Sequence, residues 1–508
     1  MTVNRGLLPI VLCTFLACAS MSAQQRIGGV VNDYTPVRSI RVQDCQAIIG
    51  VDNASAFTRG SLLVIIQMKG PVTSGQYDVS TVGRFEFATV DTVFGSTLRL
   101  THPLLNTYDV RGRVQCVRVP IYPDVIVSFP LTGTPWNGSI GGVVAIDVRG
   151  TLRLDAPIDA SGLGYRGGTT WVSGGACSTL TDNDGMNSAF AAMKGETYVD
   201  ALPSQIAGRQ ALFSGGGGGC AHNSGGGGGG NGGTGGRGGA QWEGCGAYVN
   251  NGGGGGVATP IIAVNRPLAR PGGGGGSGHM NNTSGTNGAH GGGIIIIRCA
   301  TLNGNGQPVR ANGASQTLDA GNDAAGGGGA GGTIVLETSS LTSGVFIEAN
   351  GGNGGNVNTG ALHGPGGGGG GGAFVFAASS PFAGLAYSTR GGANGQNVVR
   401  TAVAERNYLS ERGTDGVTVF GQGIPEYADD VPPLTVRAPA DTVVCPGTVL
   451  DLVARTTGRF ASLEWRTSSG TLLGNAPVLR TTAQATTTYI VRIVDADGCT
   501  ATDSVFVG

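Results

Sequence analysis

Apolar residues in this chain come in short runs set off by glycine, and four of the runs share one frame. A glycine pair is followed at once by four apolar positions beginning at Val143 (VVAI), Ile294 (IIII), Thr333 (TIVL) and Ala373 (AFVF). A further apolar residue follows at Leu152, Leu302, Leu341 and Phe382, and a closing glycine at Gly162, Gly313, Gly351 and Gly392. The first three copies close on similar strings, IDASG, VRANG and IEANG, while the fourth is degenerate (Ser388-Thr389-Arg390-Gly391). Repetition at a near-constant spacing signals stacked units that bury a shared core only when neighbours dock. The pattern therefore predicts rungs of a β-solenoid or a stacked β-sheet region. In each rung one strand follows the glycine pair and a second ends at an Ala-Asn-Gly turn, where asparagine and glycine tolerate positive φ. Val417–Phe420 would be a closing strand. The first copy lies apart from the others, so the intervening chain reads as an excursion from one continuous sheet.

Either side of the repeats the pattern changes. From residue 24 to about 140, strand-like runs alternate with turn residues. Ser61–Met68 is apolar enough to be buried on both faces, Phe85–Val93 and Thr97–Thr101 read as a hairpin, and Val114–Val119 and Val125–Phe129 as further strands. Residues 424–433 read as a linker, with charges and prolines concentrated in Tyr427–Pro433. Residues 434–508 suggest an immunoglobulin-like or PKD-like sandwich. Its strands would be Val449–Ala454, Leu463–Arg466, Val478–Thr481, Thr488–Val494 and Asp503–Val507, with Trp465 in its core. The fold class is all-β, with a Gly-rich repeat region over 141–423.

Within that region, residues 164–291 form a glycine-rich insertion interrupted by a more ordinary segment, Ser188–Phe213, that has room for a short helix. Its long runs are Gly215–Gly219, Gly225–Gly230, Gly252–Gly256 and Gly272–Gly276. A flexible linker is one reading, but Cys220, Trp242, Cys245, Tyr248 and Ile261-Ile262 break the runs, and solvated linkers avoid such residues. The ordered alternative is a bundle of extended polyglycine II-like helices bonded backbone to backbone. Fixing each residue costs ~1–2 kcal/mol of backbone entropy, and a hydrogen bond returns about 0.5–1.5 kcal/mol. Such segments cannot stand alone, so their order would come from flanking strands and disulfides.

Composition narrows the class. The chain has 508 residues, 97 of them glycine but only 22 proline, with no Gly-X-Y period, which excludes collagen. Formal net charge is −1, Lys69 and Lys194 are the only lysines, and no basic stripe exists, which argues against nucleic acid as a partner. Residues 1–23 read as a secretory signal peptide: Arg5, the apolar Leu7–Ala19, then a small-residue cleavage zone before Gln24. Cys18 follows a weak lipoprotein box. No later stretch is long enough to span a membrane. Removing the signal leaves eight cysteines and no C-x-x-C, a pattern of disulfides rather than zinc ribbons. The preferred pairs are Cys45–Cys116 and Cys445–Cys499, with Cys177, Cys220, Cys245 and Cys299 paired among themselves.

Catalytic motifs are absent: there is no G-x-S-x-G, H-E-x-x-H or Walker sequence. The five histidines (His102, His222, His279, His290, His363) mostly adjoin glycine runs and are expected in solvated loops. Asp182, Asp184 and Asn187 form a weak calcium candidate, set against the plainer reading of an Asx-rich turn. No other cofactor is implied. Asp155 and Asp159 would form a glycosidase pair only if the backbone turns at Pro157, because residues four apart on a straight strand lie ~13 Å apart, too far for that chemistry.

Several strings resemble one family: FEFATV from Phe85, LLNTY from Leu104, Pro135-Trp136-Asn137-Gly138, IDASGLGYRGG from Ile158, and the glycine block Gly215–Gly230. Together they resemble large secreted surface proteins of gliding Gram-negative bacteria, exported by type IX secretion. The resemblance implies an adhesin or surface-layer role, immunoglobulin-like or PKD-like modules near the ends, and no catalytic residues. Cargo of that kind ends in a sorting domain, a role that falls here to a segment beyond Gly508 or to the final sandwich, unless export follows another route. The expectation is a secreted or cell-surface structural and adhesive protein without catalysis, making multipoint contact with surface polysaccharide, matrix or another cell-surface protein. The alternative is a carbohydrate-binding or carbohydrate-active β-solenoid.

Overall fold

The computed structural model describes residues 24–43, 45–175, 177, 191–263, 265–426, 434–458, 460–495 and 498–508. The signal segment, the calcium candidate Asp182, Asp184 and Asn187, and Tyr427–Pro433 lie outside them. Strand β1 (Gln25–Val30) leads into β2 (Tyr34–Gln43), β3 (Gln46–Val51), β4 (Leu62–Lys69), a small hairpin β5 (Val72–Thr73) and β6 (Gln76–Tyr77), then β7 (Phe85–Phe94), β8 (Thr97–Leu100) and β9 (Arg113–Val119). Six of these close into an antiparallel barrel in the order β2-β3-β8-β7-β4-β9. All eight residues of β4 are buried. Leu63 and Ile65 pack in the barrel core, while Leu62, Val64 and Ile66 face a second core shared with the repeat sheet.

The repeat sheet is parallel. It contains β10 (Ile121–Tyr122), β11 (Val125–Thr132), β12 (Val143–Leu154) and β13 (Ile158–Asp159). After a hairpin of β14 (Ile262–Ala263) and β15 (Arg266–Pro267) come β16 (Ile294–Asn303), β17 (Pro308–Arg310), β18 (Thr333–Ser343), β19 (Val345–Glu348), β20 (Ala373–Phe376) and β21 (Leu385–Ser388). A five-residue helix α1 (Val403–Asn407) precedes β22 (Val417–Phe420). The order along the sheet is β21-β19-β17-β13-β11-β12-β16-β18-β20-β22, and β1 pairs with β11. The four repeat starts lie side by side: Val143 pairs with Ile294, Ile294 with Thr333, and Thr333 with Ala373. Ala373 in turn pairs with Val417, so β22 closes the series.

The run of four apolar residues follows from this position. Alternate residues face opposite sides of a strand, and here both sides are covered. Ile295 and Ile297 pack into the core enclosed between the two strand sets, while Ile294 and Ile296 pack against the barrel's Val64, Phe85 and Val117. The Ala-Asn-Gly strings are not the left-handed turns expected of them: neither Asn312 nor Asn350 has positive φ. Their side chains form a ladder instead. Asn312 Oδ1 accepts the Asn350 N–H (2.7 Å), and Asn350 Oδ1 accepts that of Arg390 (2.8 Å).

The glycine insertion is internal, and its hydrogen bonds show its geometry. The N–H groups of Gly225 and Gly228 donate to Gly239 and Gly236, those of Gly226 and Gly229 to Ala325 and Gly328, and those of Gly227 and Gly230 to Gly217 and Ser214. Every third residue thus turns to the same neighbour, the period of a three-residue-per-turn extended helix. The carbonyls repeat the rule: Gly225 and Gly228 accept from Gly253 and Gly256, Gly226 and Gly229 from Gly367 and Gly370, and Gly227 and Gly230 from Gly276 and Gly273. Gly225–Gly230 is the axis of a bundle with a segment on each of six sides, and all its residues are buried. A Cβ on Gly227 would stand 2.2 Å from the Gly254 carbonyl oxygen. The helix expected within Ser188–Phe213 is reduced, among the described residues, to the 3₁₀ turn Pro203–Gln205. Backbone groups there are taken up by the bundle instead, as where Ala192 N–H donates to Gly219 and Gly195 N–H to Gly216.

Ile424, Pro425 and Glu426 are docked rather than linking. Ile424 is buried in the barrel–sheet core, the Pro425 carbonyl accepts the Phe87 N–H, and Glu426 pairs with Arg298. The last segment forms β23 (Thr435–Arg437), β24 (Val449–Val453), β25 (Arg455–Thr457), β26 (Ser462–Thr467), β27 (Leu472–Gly474), β28 (Val478–Thr482), β29 (Thr487–Val494) and β30 (Thr500–Val507). They form antiparallel sheets, the largest ordered β27-β26-β29-β30, around a core that includes the fully buried Trp465.

Two expected disulfides are not formed. Cys116 on β9 pairs in register with Thr35, whereas Cys45 sits at the far end of β2, in the turn before β3. Ten residues of strand put the two roughly 30 Å apart, against the ~7 Å limit for a bridge. Val444 N–H bonds the Gly508 carbonyl, placing Cys445 beyond the end of β30 opposite to Cys499, roughly 30 Å of strand away. Cys499 instead has Cys45 as its neighbour, whose thiol, after burial, helps push the Cys499 pKa up. A bridge joins Cys177 and Cys245. Cys220 and Cys299 are not joined to each other: Cys299 lies on β16 within the sheet core, and Cys220 in the glycine block, where its N–H donates to Asn251.

Candidate functional site

Where the barrel, the first rung and the glycine insertion meet, a pocket of ≈ 440 Å³ opens. Both lysines of the chain line it. Lys69 ends β4, its ammonium Nζ 5.8 Å from the Tyr165 ring centroid. The Lys69 ammonium pairs with Glu196 Oε1 at 2.6 Å and with Asp200 Oδ1 at 3.2 Å. Glu196 also accepts from Arg166 Nε (2.8 Å), the Arg166 backbone N–H (3.1 Å) and Trp136 Nε1 (3.1 Å). Asp200 Oδ2 takes Arg113 at 2.9 Å. Gly167, Gly168, Gly195, Thr169, Thr197 and Gln205 bring further polar groups, and Met193, Val199, Ile206 and Leu212 an apolar floor. The bundle fixes the lining backbone: Gly168 N–H donates to Gly275, and Gly195 N–H to Gly216.

Electrostatics decide what this pair of carboxylates can do. Their shared bond to Lys69 holds their oxygens within about 6 Å of one another, inside the span of glycosidase carboxyl pairs. Such chemistry needs one of the two protonated near neutral pH. Burial alone would raise the Glu196 pKa, but Lys69, Arg166 and Trp136 outweigh it and hold the carboxyl at about 2. Glu196 therefore remains an anion near neutral pH. His290, on the rim, has its pKa lowered by burial.

The residues singled out in the sequence fall elsewhere. Asp155 is engaged by Arg153 (2.8 Å) and Asn305 (3.2 Å), and Asp159 accepts the Ser161 N–H (2.8 Å), so different partners hold the two. The expectation of solvated loop histidines fails for His279 and His363, which are 0% and 2% exposed. Burial lowers the His279 pKa to about 4. Its neutral ring accepts the Asn223 N–H at Nδ1 (3.0 Å) and meets Ser173 Oγ at Nε2 (2.8 Å). His363 Nδ1 lies 3.3 Å from the Asp323 carbonyl oxygen. The pocket's own charged residues lacked a motif. One signal was present: a chain nearly devoid of lysine keeps two, and both arrive at the same cavity.

No family model matches the chain, and no curated protein matches it in sequence. Among solved structures it is similar to the Gp54 tailspike of Acinetobacter baumannii bacteriophage AP22, solved with A. baumannii capsular saccharide. That similarity has 10% identity and a TM-score of 0.17, covering 72% of this chain and 57% of that one. It is also similar to the tailspike gp49 of Pseudomonas phage LKA1, at 11% identity and a TM-score of 0.15 over 94% of this chain and 82% of that one. The chain thus spans little more than half of the first tailspike. Among the described residues, no helix is long and apolar enough to cross a membrane.

Proposed function

We propose that this protein is a secreted or surface-exposed scaffold that binds polysaccharide without turning it over, and that its adhesive role is exercised through the Lys69–Glu196–Asp200 pocket. The observation that carries this reading is the pairing of the pocket's charges. Lys69, Arg113 and Arg166 are paired with Glu196 and Asp200, so the cavity offers donors and acceptors side by side, next to an apolar floor. A neutral, polyhydroxylated ligand matches such a lining. Its hydroxyls satisfy carboxylate and backbone groups, and its C–H faces cover Met193, Ile206 and Leu212.

The glycine-block dipoles are buried and bonded to one another, so multipoint contact does not run through them. Rigidity supports binding in another way. A pocket wall held by a hydrogen-bonded bundle has little freedom left to lose when a ligand arrives. In this reading the C-terminal antiparallel unit is an immunoglobulin-like or PKD-like module, and the chain is a cargo of type IX secretion, as its Gly-rich strings and leader pattern suggest. The test is binding of purified protein to a panel of immobilised bacterial polysaccharides. Retention of at least one, with no reducing ends released and with binding lost in Asp200→Ala, is the expected result. Release of reducing ends, or binding that Asp200→Ala leaves intact, would overturn it.

A further inference from the structure

A second cluster of chemistry-bearing side chains lies apart from the pocket, and none of its residues lines it. The sulfurs of Cys177 and Cys245 and a ring nitrogen of His222 all lie within 4.8 Å of one another. The separation from Cys245 Sγ to His222 Nδ1 is 3.8 Å. The ring is held in place by Trp242, whose centroid is 4.9 Å away and whose N–H donates to the His222 carbonyl (2.7 Å). Cys245 closes a 3₁₀ turn, Glu243–Cys245.

The far side of the ring supplies an independent observation. Asn281 places its side-chain amide 3.2 Å from His222 Nε2, while its Oδ1 is buried without a hydrogen-bond partner. The two ends of an amide are interchangeable in shape. Turned over, Oδ1 accepts a hydrogen bond from Nε2–H, which leaves the Nδ1 lone pair aimed at the sulfurs. An acceptor behind a histidine that fixes its tautomer in this way is the usual support of a metal ligand.

We infer that reduction of the Cys177–Cys245 bridge converts this cluster into a zinc site, with two thiolates and the His222 imidazole as ligands and water in the fourth position. Donors of this type and number suit Zn²⁺. The step balances: a thiol reductant supplies two electrons and two protons to the S–S bond and is itself oxidised to a disulfide. Binding of Zn²⁺ then displaces one proton from each cysteine thiol. Bridge and metal exclude each other, because the same two sulfurs form both.

Full-length protein, oxidised or reduced and then freed of reductant under anaerobic conditions, is titrated with Co²⁺ as a spectroscopic substitute. The reduced form should take up one equivalent with sulfur-to-cobalt charge-transfer absorption that Zn²⁺ abolishes, and the oxidised form none. Cys177→Ser and His222→Ala should each remove the band, Asn281→Ala should weaken affinity by about tenfold, and Cys445→Ser should change nothing. In the unmutated protein, Zn²⁺ should shield Cys177 and Cys245 from alkylation, read peptide by peptide by mass spectrometry. This second readout stands even where a variant misfolds. No band in the reduced protein, a band that survives Cys177→Ser, or equal alkylation with and without Zn²⁺ would each overturn the inference.

Discussion

Glu196 shows at the scale of one residue how a buried charge is made tolerable. Its side chain is 12% exposed and that of Lys69 5%, so neither ion keeps its hydration and each depends on the other and on the bonds from Arg166 and Trp136. Breaking such a pair costs more than the pair contributes, because the remaining ion is stranded. Glu196→Gln is therefore expected to lower stability by roughly 3 kcal/mol, measured by denaturant unfolding. The pH dependence has a definite sign. With a folded pKa near 2 against an ordinary value of 4.5, Glu196 stabilises the fold fully above pH 4.5. That contribution is lost as pH falls toward 2, as the unfolded chain binds the proton first. The Glu196→Gln variant should show a shallower loss of stability across that interval, and an unchanged acid slope would contradict the assignment.

Among the elements, the polyglycine bundle is the least familiar, and it turns the usual role of glycine around. Its glycines serve because six neighbouring segments leave no space for a side chain. At Gly227 a Cβ would meet the Gly254 oxygen at 2.2 Å, whereas at Gly360 it would meet nothing within 4 Å. Gly227→Ala should cost several-fold more stability than Gly360→Ala, the latter staying within about 0.5 kcal/mol of the parent. Paired thermal unfolding curves would check this, and equal melting temperatures would mean the bundle is not packed as described. The flanking strands supply what the bundle lacks. Each apolar quartet is anchored on both faces, so the sheet carries the burial term and the glycines carry the hydrogen bonds.

For the whole molecule, the contact between Cys45 and Cys499 bears on how the C-terminal unit meets the barrel. Burial first, and the neighbouring Cys45 thiol next, push the Cys499 pKa up, and oxidised glutathione, accepting two electrons, should couple the two. With a protease site placed within 427–433 and then cut, the halves should stay together on a denaturing gel without reductant and separate with it. Cys45→Ser should separate them in both cases. Separation of the unmutated halves without reductant would show that the two surfaces do not meet.

The spacing of the apolar quartets was enough to locate β12, β16, β18 and β20 and their common register, because a repeat that buries both faces of a strand leaves its period in the chain whatever lies between. Trp465 and the barrel strand β4 were legible for the same reason: burial dictates residue type locally. The pocket, the Cys177–Cys245–His222 cluster and the true surroundings of Cys45, Cys116, Cys445 and Cys499 were not legible. Each joins residues brought together by long excursions, and no local pattern records which excursion returns beside which. The glycine runs are the limiting case. Having no side chains, they carry no signal of partner or register, so their order emerged only when the sheet brought six of them within hydrogen-bonding distance.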